Sequence, residues 1–135
     1  MSERKKILVP TSGYIPAKES GNLIIEVAKR FGADVEVVHI RDPRSLIATS
    51  RESEGKAALK HFEEIGKNNG VKVQSYFVSG DLVPTLMKFA TDHDADLILL
   101  GLSAERMIAD WITCDLMDEC EIPVLIVPQD LSHLI

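Results

Sequence analysis

Ala95-Asp96-Leu97-Ile98-Leu99-Leu100-Gly101 sets four consecutive aliphatic residues between an aspartate and a glycine. A strand wetted on one face alternates apolar and polar residues. A strand covered on both faces reads as an unbroken apolar run. This stretch therefore reads as a central strand of a sheet with helices on both sides.

The neighbouring segments extend that reading in both directions. Downstream, Ile108, Trp111, Ile112, Leu116 and Cys120 fall at helical spacing. Then Ile122-Pro123-Val124-Leu125-Ile126-Val127-Pro128 gives a strand bracketed by prolines, and residues 129–135 form a short tail. Upstream, Gly80-Asp81 leads into a helix with Leu82, Val83, Leu86, Phe89 and Ala90 inward. Val71, Val73, Tyr76, Phe77 and Val78 form the strand before it. A further helix carries Ala58, Leu59, Phe62 and Ile65 on one side and stops at Lys67-Asn68-Asn69-Gly70, a basic and glycine stop signal. Val35, Val37, Val38 and Ile40 make another strand, broken by Asp42-Pro43. The mixed polarity of Ser45 to Glu54 gives no clear element. Nearest the start, Ile7-Leu8-Val9 runs into Pro10, and Leu23, Ile24, Val27, Ala28 and Phe31 form a helical face ending at Gly32. Strand and helix alternate throughout, the pattern of right-handed βαβ units in a parallel sheet.

The 135 residues suit one domain. Hydrophobic residues make up 45% and charged residues 27%, ordinary for a globular protein. No apolar run reaches the length of a membrane span, and Ile7 to Val9 is too short for a signal-peptide core. A soluble, cytoplasmic protein is expected. The net charge is −6 and the basic residues are dispersed apart from Arg4-Lys5-Lys6. Neither nucleic acid nor an anionic membrane is expected as a partner. Cys114 and Cys120 are six residues apart, a spacing that fits no zinc or redox motif.

In an open parallel sheet, ligands bind beyond the carboxyl ends of the strands, where the strand order reverses. The loops in question are Pro10-Thr11-Ser12-Gly13 and Gly101-Leu102-Ser103-Ala104.

At these loops the chain resembles the universal stress protein family. Lys6-Ile7-Leu8-Val9-Pro10-Thr11-Ser12 is similar to the family's opening strand, and Gly32-Ala33-Asp34-Val35 to His39-Ile40 resembles its second. Ser79-Gly80-Asp81 resembles the entry to its third helix. Ala95 to Gly101 and Ile122 to Val127 are similar to its fourth and closing strands. The likeness spans residues 1–128. It implies a single α/β domain of the adenine nucleotide alpha hydrolase-like type, with a five-stranded parallel sheet of order 3-2-1-4-5 and helices on both faces. It also implies a homodimer through the last strand. A Val124-Leu125-Ile126-Val127 edge agrees, because unpaired backbone flanked by apolar side chains invites pairing.

Some members of the family bind ATP through a glycine-rich loop after the fourth strand. Glycines there let successive backbone N–H groups turn inward around phosphate oxygens, helped by the following helix N-terminus. This chain keeps the first glycine, Gly101, but has Ala104 at the second. The final glycine–hydroxyl pair falls at Cys114-Asp115 counted forward, or near Asp110-Trp111 counted back from Pro123. Neither supplies the pair. Glu105, Asp110 and Asp115 face only Arg106, which disfavours a triphosphate. Ser12 replaces the usual aspartate after the first strand and lacks its carboxylate acceptor. Pro10, Thr11, Ile40 and Gly101 match family positions near the nucleotide, and with Ser12 and Ser103 they are the candidate pocket residues. They make a vestigial pocket, with no resident cofactor expected.

His39 on a core strand reads as a structural histidine, and His93 as the end of the third helix. No histidine has metal-ligand spacing, and there is no nucleophile elbow. The expected function is a non-catalytic stress-response module, dimeric and acting through contacts with an unidentified protein. The alternatives are an ATP- or AMP-binding sensor with a modified loop, and a weak nucleotide hydrolase using Ser12 or Ser103.

Overall fold

The computed structural model describes residues 5–11, 14–41, 52–101 and 121–127. In chain order the elements are β1 (Lys6–Thr11), α1 (Tyr14–Phe31), β2 (Asp34–Arg41), α2 (Glu52–Asn69), β3 (Val73–Ser79), α3 (Leu82–Asp92), β4 (Leu97–Gly101) and β5 (Val124–Val127). The strands form one sheet of order β3-β2-β1-β4-β5, and every pairing is parallel. Among the described residues no helix is long and apolar enough to cross a membrane.

The unbroken apolar runs occupy the middle of the sheet. Ile7, Leu8 and Val9 of β1 and Ile98, Leu99 and Leu100 of β4 are all buried, alternate residues serving opposite faces. On one face Ile7, Val9, Val35, Val37 and Leu99 pack with Ile24, Ile25 and Ala28 of α1 and Ala58, Leu59 and Phe62 of α2. On the other, Leu8, Val38, Ile40, Ile98 and Leu100 pack with Val83, Leu86, Phe89 and Ala90 of α3. Each large aliphatic side chain buried this way contributes about 1.5–3 kcal/mol against exposure. The edge strands β3 and β5 are only partly covered.

Two local readings need correction. Phe31 shares the helical spacing of the α1 core face yet is 63% exposed, and Ile25 is buried instead. The helix ends there: Gly32 takes φ 62° and turns the chain into β2, carrying the last turn off the sheet. Val71 precedes β3 rather than belonging to it, and its N–H closes the end of α2 on the Gly66 carbonyl at 2.9 Å. Pro84 is tolerated in α3 because it stands in the first turn, where a helical N–H has no intrahelical acceptor.

Candidate functional site

The order β2-β1-β4 means that connections leave β1 and β4 in opposite directions, which opens a crevice beyond their carboxyl ends. Pro10 and Thr11 close β1 at that end, and Gly101 closes β4; all three are buried. In the β1–β2 register Pro10 stands beside Val38 and Thr11 beside His39, so β2 continues two residues further, through Ile40 and Arg41. The fold thus brings Pro10, Thr11, Ile40 and Gly101 to one end of the sheet. Ser12 and Ser103 lie outside the described residues, as do the segment carrying Ala104, the helical spacing from Ile108 to Cys120, and the tail.

Of the pocket residues expected from the sequence, the described side chains are engaged within the fold or carry no polar atoms, whereas the Arg41 Nε, buried at the same end, has no hydrogen-bond partner among the described residues. The Thr11 hydroxyl and His39 Nδ1 are hydrogen-bonded at 3.0 Å, both residues buried. Burial holds His39 below its ordinary value of 6.5, partly opposed by a hydrogen bond to the Thr11 backbone. The imidazole lies under α2 at Gly55, where an added Cβ would come within 2.7 Å of Nε2 and 2.8 Å of Cγ. Only a glycine lets the helix backbone approach the ring this closely. His39 is therefore a satisfied core histidine. Ile40 belongs to the α3-side core, and Pro10 has no N–H to offer. What Pro10, Thr11 and Ile40 present to a ligand is chiefly backbone and apolar surface.

At the opposite, amino end lies a cluster that the sequence reading missed. Glu36, near the start of β2, is 4% exposed. Its Oε1 is 3.0 Å from Lys6 Nζ. Its Oε2 is 2.7 Å from His93 Nδ1, an ion-pair distance, but off the line of a hydrogen bond. Lys6 Nζ also donates to the His93 carbonyl at 2.7 Å, and the Lys6 backbone N–H donates to Asp96 Oδ2 at 2.9 Å. The His93 ring stacks on Phe89 at 3.9 Å between centroids and meets Tyr76 edge-on. The hydrogen bond to Glu36 raises the Lys6 pKa, while burial raises that of Tyr76. His93 does end α3, its backbone N–H bonding back to Phe89, but its side chain also ties α3 to β2. The visible signal was a lone carboxylate inside Val35-Glu36-Val37-Val38, which needs a buried cation. Among the described residues no cluster of His, Cys, Asp and Glu could hold a metal ion.

A parallel sheet of order β3-β2-β1-β4-β5, with its switch point between β1 and β4, defines an open, doubly wound α/β domain. The family model of the universal stress proteins matches residues 3–128. The chain belongs to that family. It is 28% identical over 138 residues to a universal stress protein of Methanocaldococcus jannaschii, covering 91% of this chain and 81% of that one. A crystal structure of a family protein from Burkholderia pseudomallei superposes with TM-score 0.69 at 23% identity, covering 95% of this chain and 98% of that one. The universal stress protein from Archaeoglobus fulgidus, solved in complex with dAMP, superposes with TM-score 0.66 at 18% identity, covering 93% and 98%.

Proposed function

We propose that this chain is a non-catalytic regulatory module of the universal stress protein type. It works in the cytoplasm as a homodimer, through protein contacts, and holds no ATP. The observation that carries this reading is the character of the strand ends. The Thr11 hydroxyl is spent on His39, Ile40 is in the core, and the family's glycine pattern does not continue past Gly101. Curling main-chain amides around a triphosphate needs those glycines. Leu125 and Ile126, 41% and 45% exposed on the edge strand β5, support pairing with a second copy. The test is to unfold the purified protein, chromatograph what is released, and assay ATP turnover. Stoichiometric ATP or ADP, or a turnover abolished by Ser12→Ala or Ser103→Ala, contradicts the proposal.

A second reading keeps a smaller ligand in the crevice. It is favoured by the dAMP complex of the Archaeoglobus fulgidus relative. A nucleoside monophosphate needs far less of a phosphate cradle than ATP. On this reading the module senses AMP-like molecules without turning them over.

A further inference from the structure

His93, Glu36, Lys6 and Tyr76 come from four elements and meet away from the crevice. His93 is the C-cap of α3, and its side chain is 30% exposed, so protons reach it from solvent. Glu36 of β2 faces it from inside the fold. One carboxylate oxygen, Oε1, is held by Lys6 Nζ of β1. The other, Oε2, is buried 2.7 Å from His93 Nδ1 and accepts no hydrogen bond among the described residues. Tyr76 of β3 meets the ring edge-on. Of the neighbouring acids, Asp92 is paired with Lys88, Asp94 is exposed and acts on Lys6, and Asp96 accepts the Lys6 backbone N–H.

This contact serves the carboxylate differently in the two charge states of the ring. A hydrogen bond weakens steeply off its line, so a neutral imidazole gives Oε2 little. Attraction between opposite charges has no such line, and it is strong at this distance from a buried carboxylate. Two further features favour a positive ring. It stands at the carboxyl end of α3, whose last turn has no basic residue. It also stacks on Phe89, with centroids 3.9 Å apart. Lys6 opposes them, but its ammonium is held on the other carboxylate oxygen. Histidine is the side chain whose charge ordinarily changes between about pH 5 and 8.

We propose that His93 and Glu36 form an acid-set clamp, in which a second proton on the ring locks the carboxyl end of α3 onto β2. The stability it contributes is present in acid and is lost as pH rises. The clamp needs neither ligand nor partner, so it stands apart from both functional readings above.

The test is urea unfolding of the full chain at about pH 5.5 and about pH 8, for the wild type, His93→Gln, Glu36→Gln and the double variant. His39 is common to all four proteins, so its own titration cancels in the cycle. The coupling between the two positions, read as a ratio of unfolding constants, is expected to be about 5- to 10-fold larger at the acidic pH. That is the margin of a charged contact over a neutral one. Equal coupling at the two pH values, or larger coupling at the alkaline one, overturns the proposal. If Glu36→Gln does not fold, His93→Gln decides alone, because the His93 side chain is partly at the surface. Its loss of stability against the wild type should be greater at the acidic pH, and an equal loss at both overturns the clamp.

Discussion

Replacing Glu36 with glutamine keeps the side chain's shape and removes its charge. The carboxylate is buried between Lys6 Nζ at 3.0 Å and His93 Nδ1 at 2.7 Å. Breaking a fully enclosed ion pair costs about 3–5 kcal/mol. Here the Lys6 side chain is 35% exposed, so water recovers part of that loss when its partner is neutralised. We therefore expect Glu36→Gln to destabilise the fold by about 1–3 kcal/mol. With a urea slope of about 1–3 kcal/mol/M, the unfolding midpoint falls by about 1 M. The pH dependence sharpens the test. Lys6 is raised above 10.5 in the fold, so its stabilising contribution is complete below 10.5 and is lost as pH rises through the higher folded value. Tyr76, raised above 10.0, loses its contribution in the same direction. The gap between wild type and Glu36→Gln should therefore be wide at neutral pH and close in alkali. An unchanged midpoint at neutral pH, or a gap that persists in strong alkali, refutes this account of the cluster.

Gly55→Ala forces a methyl group against the His39 ring, costing about 1–3 kcal/mol of overpacking against about 1 kcal/mol of gained helix propensity. In a His39→Ala background the same change should turn stabilising, which a double-mutant cycle in urea measures. His39 is held below 6.5, so its contribution is present above 6.5 and is lost as pH falls towards the folded value. Stability curves should accordingly fall more steeply on acidification for the wild type than for His39→Asn, which keeps a polar group near Thr11. Ile126→Lys places a charge on the exposed edge strand. Sedimentation should show the wild-type dimer and a monomeric variant of unchanged circular dichroism; a dimer in both removes β5 from the interface.

Much of the fold was readable because burial on two faces leaves a plain mark. The runs at Ile7-Leu8-Val9 and Leu97 to Leu100 mark the middle of the sheet from sequence alone, and the family likeness carries the strand order. Phe31 misled because helical spacing says which side a residue faces, not where the helix leaves the sheet. At the candidate site the residue types were legible but their pairing was not. Thr11 and His39 were both noticed, yet only the parallel register sets them side by side and shows the hydroxyl already engaged. Glu36 was passed over because its partners are remote in sequence: Lys6 on another strand and His93 at the end of a helix.

Calorimetric titration of the full chain with ATP and Mg²⁺ bears most directly on the claim that this universal stress protein has given up its triphosphate cradle. The account predicts no saturable heat at micromolar nucleotide. A single-site isotherm with micromolar Kd would contradict it.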